Sequence, residues 1–218
     1  MNLDFSVLMP YLPLLAQGAQ WTVLLTAAGA VLSILGGVAF AVAVLYAPRA
    51  VQLPLRSFIW LFMGTPLLLQ LFLLYYGLGQ IGIRIPAIWV GVTGLGLHFA
   101  VYNADIFRTA IQTVEHGQTE GARSLGFGRA QTLRYVVVPQ ALRRSLPQVG
   151  NNLIAMLKDA SIVSMLGMTE LVYAAQQGIS ETYRPFEFYF AVAVIYYLLN
   201  LVLELALAWA GRKVEAQR

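Results

Sequence analysis

The sequence contains no cysteine and only two histidines, His98 and His116. The lack of cysteine excludes disulfides, thiol chemistry and soft-metal sites. Neither histidine stands in a cluster with carboxylates, so the sequence predicts no metal site. Charged residues are also scarce, at 11% of 218 residues, whereas soluble domains average about 25%. A chain so poor in charge is predicted to be an integral membrane protein.

A nucleotide-binding loop is also missing. Such a loop needs two glycines that bracket four residues and are followed by lysine and then serine or threonine. The two lysines, Lys158 and Lys213, do not follow a glycine at that spacing. The chain is therefore predicted not to be an ATP-hydrolysing enzyme. Ser161 and Ser164 beside Lys158 leave open a Ser-Lys hydrolase within the membrane, although no pattern in the sequence supplies its oxyanion hole.

Long apolar runs dominate the sequence instead. Apolar residues make up 59% of the chain, and its mean hydropathy is +0.69. Residues 1–18, broken by Pro10 and Pro13, are predicted to lie along the interface, and their lack of a basic cluster predicts no removable signal peptide. The amphipathic stretch 51–62 is predicted to lie in the headgroup layer. Since a helix crosses a bilayer with about 20 apolar residues, the predicted spans are residues 19–47, 66–83, 86–111, 147–170 and 186–211.

The basic residues lie mainly at one end of these spans. Eleven of the fourteen fall on the side of residues 113–145 and the C-terminus, two (Arg84 and Arg184) fall on the other, and Lys158 lies within a span. Because cytoplasmic loops carry the excess of positive charge, the C-terminus is predicted to be cytoplasmic and the N-terminus external. The net charge of +4 does not indicate a nucleic-acid partner, since the arginines are interleaved with spans.

The longest basic stretch between spans runs from Glu120 to Pro139. Its pattern predicts two short helices, residues 118–125 and 129–137, joined by a corner at Gly126 and Gly128. The second helix is predicted to end before Pro139, because proline lacks an N–H and restricts the residue ahead of it. The corner is predicted to present a docking surface for a soluble partner, an apolar knob of Leu125 and Phe127 flanked by Arg123, Arg129 and Arg134.

Several polar residues lie within the predicted spans, where each charge costs about 2.5–3.5 kcal/mol and marks a candidate site. Lys158 and Asp159 are adjacent and diverge by about 100° on a helix, so they cannot pair with each other and each needs another partner. Glu204 in the fifth span is predicted to pair either with Lys158 or with a partner chain. Asn152 shares the helical face of Asp159. The third span carries a polar stripe made of His98, Tyr102, Asp105 and Thr109. This stripe, together with Asp159 and Asn152, is predicted to line a path for a zwitterionic solute. Packing between helices is the alternative role for His98 and Tyr102.

Four motifs, in this order, resemble those of bacterial ABC import permeases of the polar amino-acid branch, whose members carry histidine, glutamine, arginine or opines. The loop resembles the Glu-Ala-Ala loop that seats on the ATPase subunit, through Glu120, Ala122, Gly126, Val136, Val138 and Pro139. The other three motifs are residues 64–68 with 70–72, Tyr102 with Asp105 and Arg108, and residues 157–161 with Val163 and Ser164. Departures occur where the family tends to carry alanine, arginine, glutamate and glycine, at Gly121, Met63, Asp105 and Thr109.

The resemblance implies an all-α, five-span fold of the ABC type I importer permease, with residues 1–218 as one domain in the bacterial inner membrane. It implies ATP-driven import of a polar amino acid, with ATP and Mg²⁺ on a separate cytoplasmic subunit and no cofactor in this chain. A second permease copy or sister chain is implied, as is a periplasmic or lipid-anchored receptor that meets residues 77–84 and 172–184. A related solute (an opine, methionine or an osmoprotectant) and an ATP-independent channel are alternatives. The implied docking residues are Glu120, Ala122, Arg123, Leu125, Gly126, Phe127 and Arg129, and the implied substrate contacts are Asp159 and Asn152, with His98, Tyr102, Asp105 and Lys158 on the predicted path.

Overall fold

A computed structural model describes residues 3–215, and every regular element among them is helical. The predicted all-α class is therefore confirmed. Four irregular helical turns link the α-helices: the 3₁₀ turns Phe5–Tyr11 and Ala160–Leu166 and the π turns Leu73–Gly77 and Leu133–Val137. The α-helices are α1 (Leu12–Tyr46), α2 (Arg49–Met63), α3 (Leu67–Phe72), α4 (Leu78–Gln80), α5 (Ala87–Gln112), α6 (His116–Ser124), α7 (Arg129–Thr132), α8 (Val138–Asp159), α9 (Leu171–Thr182) and α10 (Pro185–Glu215).

Three helical segments within residues 3–215 are long and apolar enough to cross a bilayer: Phe5–Tyr46, Ala87–Gln112 and Pro185–Lys213. They correspond to the first, third and fifth predicted spans. α2 and the segment Leu67–Gln80, bent by 112°, make a fourth if the pair counts as one span. The first predicted span begins at residue 19, whereas α1 already begins at Leu12 and accepts proline in its first turn, where no N–H partner is needed.

The predicted fourth span, residues 147–170, differs most from the structure. α8 begins earlier, at Val138, and ends at Asp159, where the chain tightens into the 3₁₀ turn that Gly167 closes with a φ of 77°. Pro147 therefore lies inside α8 and not in its first turn, and α8 packs against α5 and α10. Residues 172–184, predicted to be an outer loop, lie largely in the additional helix α9.

The prediction that the second loop helix ends before Pro139 is also wrong. α7 continues through the π turn Leu133–Val137 directly into α8, whose first turn contains Pro139. A π turn is wider than an α turn and shifts the hydrogen-bond partners by one residue. This shift lets the helix continue past Pro139, which has no N–H. As a result, α7, the π turn and α8 form one continuous helical segment, the α7–α8 rod.

Small residues allow α1 to pack closely along the central helix α5. Gly29, Ser33 and Gly37 are buried on one face of α1. A Cβ atom on Gly37 would lie 2.7 Å from the Cβ of Asn103 and 3.2 Å from its backbone carbon. In a membrane, helices associate mainly through such close packing, since lipid removes the hydrophobic drive between them. The position of α1 therefore depends on glycine at residue 37.

Replacing Gly37 by valine is expected to destabilise the protein by about 2–3 kcal/mol, the range typical of overpacked cores. The added side chain would push α1 away from the backbone of α5 at Asn103. Thermal unfolding of the detergent-solubilised protein measures the effect. Gly79→Val is the matched control, because no atom lies within 4 Å of a Cβ added there; equal unfolding midpoints for the two variants would contradict the close-packing account.

Candidate functional site

The structure contains the corner predicted between α6 and α7. Gly126 turns the chain with a φ of 87°, a left-handed conformation that favours glycine. The N–H of Gly128 donates to Oε1 of Gln131 at 2.9 Å and holds the start of α7. Leu125 is 81% exposed and Phe127 is 38% exposed. The corner thus displays two apolar side chains on a basic, water-accessible loop.

Side chains behind the corner attach it to the ends of α5 and α8. A buried apolar cluster joins Ala110, Val114, Val137 and Ala141. Arg144 adds a polar tie, since its Nη1 donates to the carbonyl oxygen of Thr113 at 2.5 Å. Because apolar packing and a hydrogen bond both fix the loop, force applied to the corner would pass into the spans.

The predicted docking residues divide into exposed and buried groups. Ala122 is only 7% exposed, so it packs the loop against the body rather than facing a partner. Glu120, Arg123, Leu125, Gly126, Phe127 and Arg129 are all exposed. Sequence reasoning missed Arg144, whose role depends on a carbonyl 31 residues away.

The buried His98 is part of a clamp on the bend between α2 and α3. Its Nδ1 lies 3.0 Å from Oε1 of Gln70. The amide nitrogen of Gln70 donates in turn to the carbonyl oxygen of Phe62 at 2.8 Å and to Oγ1 of Thr65 at 2.9 Å. The hydroxyl of Tyr102 lies 3.5 Å from the carbonyl oxygen of Met63. These contacts match the packing alternative for His98 and Tyr102 and tie the broken span to α5.

A second polar chain joins three helices and includes Asn152. Nδ2 of Asn152 donates to Oδ1 of Asn103 at 2.8 Å, and Nδ2 of Asn103 donates to Oγ of Ser33 at 3.3 Å. Asn103 and Ser33 are completely buried. The amide nitrogen of Asn152 is thus engaged in holding α8 to α5 and α1, while its side chain also borders an open cavity described below.

Lys158 and Asp159 lie at the end of α8, where the helix tightens into the 3₁₀ turn. Lys158 is exposed and Asp159 is half-buried. Within residues 3–215 neither forms an ion pair. Of the two alternatives for Glu204, the pair with Lys158 does not form among the described residues; Glu204 accepts a hydrogen bond from Nδ2 of Asn200 at 2.7 Å, one helical turn away on α10.

An open cavity of about 450 Å³ lies between the polar faces of α5 and α8. Asp105 and Thr109 contribute from α5, and Asp105 also pairs with Arg108 at 2.6 Å. The α8 wall consists of three amides, Gln148, Asn151 and Asn152. The structure thus joins Asp105 and Asn152 of the predicted path in one cavity, and places His98 and Tyr102 in the clamp at the α2–α3 bend.

Glu170 is a buried carboxylate that sequence reasoning did not single out. Its Oε1 accepts from the N–H of Tyr173 at 2.9 Å and caps α9. Its Oε2 accepts from the hydroxyls of Tyr196, at 3.0 Å, and Thr22, at 3.4 Å. The available sequence signal was an acidic residue just ahead of a helical pattern, because negative charge is favourable near a helix N-terminus. Glu170 therefore joins α1, α9 and α10.

The model of a family described as "Binding-protein-dependent transport system inner membrane component" matches residues 33–216. This chain belongs to that family. Among curated relatives, the inner membrane component is 38% identical over 98% of its length to the probable amino-acid ABC transporter permease protein PatM of Vibrio harveyi, 97% of which is covered. It is 34% identical to the glutamine transport system permease protein GlnP of Escherichia coli strain K12, with 99% of each chain covered.

Solved structures assign the fold of the inner membrane component. A crystal structure of an amino acid ABC transporter with histidines contains a chain with 39% identity and a TM-score of 0.91, covering 98% of this chain and 100% of that one. The MetNI methionine ABC transporter in an inward-facing form shares the fold at 19% identity, with a TM-score of 0.78 and coverage of 94% and 98%. The inner membrane component is a multi-pass membrane protein with the ABC type I permease fold. Permease subunits of this kind are not themselves catalytic.

Proposed function

We propose that this inner membrane component is the permease subunit of an ATP-driven importer that carries a polar amino acid into the cytoplasm. The observation that carries the proposal is the unpartnered polar face of α8, where Gln148, Asn151 and Lys158 are exposed. Such side chains are costly against lipid hydrocarbon. A second permease copy or a sister chain is proposed to cover this face and to enclose a water-filled path with it.

The relatives support the proposed substrate class, since they are named as amino-acid and glutamine permeases. On the path, the carboxylate of Asp159 suits an α-ammonium group, and the ammonium of Lys158 suits an α-carboxylate. Asn152 and Asp105 border the cavity that would lead from this pair toward the corner. A zwitterionic amino acid therefore satisfies charges that have no ion-pair partner in the described part of the chain.

An opine is the second candidate substrate. The chain is 36% identical to the octopine transport system permease protein OccM of Rhizobium radiobacter, over 91% of this chain and 82% of that protein. Uptake competition by a panel of amino acids and opines in reconstituted vesicles distinguishes the two. Inhibition by opines alone would replace the amino-acid proposal.

Energy for transport is proposed to come from a separate cytoplasmic ATPase that binds ATP and Mg²⁺. The corner of Leu125, Gly126 and Phe127, with Glu120, Arg123 and Arg129 beside it, is the proposed docking surface for that subunit. With the docking surface on the cytoplasmic side, the C-terminus is proposed to lie in the cytoplasm and the N-terminus outside. A solute receptor, periplasmic or lipid-anchored, is proposed to meet residues 77–84 and 172–184 on the outer side.

Reconstitution tests the proposal as a whole. The permease purified with its ATPase is expected to hydrolyse ATP faster when a loaded receptor is added outside the vesicle. Solute entry into vesicles that contain the permease without any ATPase would contradict ATP-driven import and favour a channel.

Replacing Asp159 by asparagine is expected to lower the rate of substrate uptake at least about tenfold, since one lost charge contact to a ligand costs on the order of 1.5–3 kcal/mol. ATPase co-purification should not change. The matched control is Asp4→Asn outside the spans, at a carboxyl whose pKa is lowered by hydrogen bonds from Ser6. Unchanged uptake by the Asp159 variant would remove this residue from the path.

A further inference from the structure

A second cavity lies behind the docking corner, outside the proposed transport path, and shares Arg123 and Arg129 with the proposed docking surface. It has a volume of about 870 Å³ and is formed by the ends of α1 and α5 together with α6, α7 and the following π turn. We propose that this cavity holds the headgroup of an anionic phospholipid of the cytoplasmic leaflet. The leaflet assignment rests on the proposed orientation of the permease; the binding itself does not.

The polar lining of the cavity suits a phosphate group. Arg123 and Arg129 contribute guanidinium groups, and Thr119 and His116 add further hydrogen-bonding groups. No aspartate or glutamate is among the residues that line it within the described chain. An anion in this cavity would therefore meet two positive charges without a competing carboxylate among the described lining residues, and guanidinium groups bind phosphate oxygens well.

An unsatisfied hydroxyl provides an independent sign of a missing ligand. Thr132 lines the cavity and is only 3% exposed, and its Oγ1 has no hydrogen-bond partner in the described part of the molecule. Buried hydroxyl groups are normally paired, because leaving one unpaired is costly. Its Oγ1 has almost no accessible surface, so a small rotation of the side chain would bring the hydroxyl to a phosphate oxygen in the cavity, which would accept its hydrogen bond.

The apolar side of the cavity identifies the anion as part of a lipid. Its floor includes Leu45 and Ile111. Ile111 also borders a narrow crease of about 30 Å³ whose lining is entirely apolar and runs back along α1 through Val42 and Val38. A free phosphate would have no contact with these apolar side chains, whereas an acyl chain would lie against them. Basic pockets at the cytoplasmic ends of spans bind anionic headgroups in this way.

Native mass spectrometry of the permease–ATPase complex tests the proposal. After delipidation, the complex is titrated with dioleoyl phosphatidylglycerol, with dioleoyl phosphatidylcholine and with inorganic phosphate. One phosphatidylglycerol is expected to bind per permease chain, and more tightly than phosphatidylcholine. Arg129→Gln and Arg123→Gln should each weaken it roughly fivefold, the effect expected for one basic residue near an anionic lipid. Thr132→Val, which keeps the side-chain volume, should weaken it less.

Arg143→Gln is the matched control, because Arg143 is exposed on α8 and lines a different cavity. The affinity of this variant complex for phosphatidylglycerol should equal that of the wild type.

Three results would overturn the proposal. Equal binding of the two lipids would show no headgroup recognition, and displacement of the lipid by inorganic phosphate would show a free-anion site. Lipid retention only when the ATPase is absent would assign the cavity to the ATPase interface.

Discussion

Replacing Leu125 and Phe127 together by aspartate is expected to release the cytoplasmic ATPase from the permease. Both side chains are exposed on the corner, Leu125 at 81% and Phe127 at 38%. Burying a leucine or phenylalanine in a partner contributes roughly 1.5–3 kcal/mol each. Losing both contacts should therefore weaken docking at least about a hundredfold. The measurement is the amount of ATPase that co-purifies with tagged permease.

The conservative variant Leu125→Met with Phe127→Leu is the control for this experiment. It keeps two apolar side chains at the corner, so the ATPase should remain bound. The aspartate variant should still insert in the membrane, because neither residue belongs to a buried core cluster. Full retention of the ATPase by the inserted aspartate variant would rule out the corner as the docking surface.

Replacing Glu170 by alanine is expected to cost about 2–4 kcal/mol of folding stability. The change removes the cap on α9 and leaves the hydroxyl of Tyr196 without its acceptor in a buried site, whereas Thr22 keeps the carbonyl oxygen of Gly18 as an acceptor. Each unsatisfied buried group costs roughly 1–3 kcal/mol, and a lost helix cap adds about 1 kcal/mol. Thermal unfolding of the purified complex measures the effect.

Two variants isolate the cause of that loss. Glu170→Gln keeps an oxygen acceptor in place, so it should lose clearly less stability than the alanine variant. Glu181→Ala removes a carboxylate whose hydrogen bond, from the hydroxyl of Tyr11 at 2.6 Å, is exposed to solvent; it should change stability by less than about 1 kcal/mol. If alanine at residue 170 were as mild as alanine at residue 181, the buried network would not hold α1, α9 and α10 together.

Local chemistry made the corner and the bend predictable. The two glycines at 126 and 128 interrupt a helical pattern, and Gly126 adopts the positive φ that such a position requires. Pro66 caps α3 after the Gly64–Thr65 turn, at the predicted start of the second span. Both features depend on a few neighbouring residues, so the sequence contains the information needed to predict them.

The two prolines of the α7–α8 rod show where local rules failed. Pro139 and Pro147 each predict a helix boundary, yet the rod runs through both. A π turn adjusts the backbone ahead of Pro139, and α8, which packs against α5 and α10, continues through Pro147. The helix overrides the local preference of proline at both positions.

The amino-acid sequence alone determined that this is a membrane protein with a basic corner exposed to water. Composition and hydropathy decide how apolar and charged residues partition between lipid and water, and this partitioning needs no particular partner residue. Tertiary structure decided the roles of the buried polar groups. Asn103 meets Ser33 and Asn152, which are 70 and 49 residues away along the chain, and Glu170 meets Thr22, 148 residues away. Such hydrogen bonds form only when particular faces of packed helices come together, and neither local propensity nor spacing along the chain encodes that meeting.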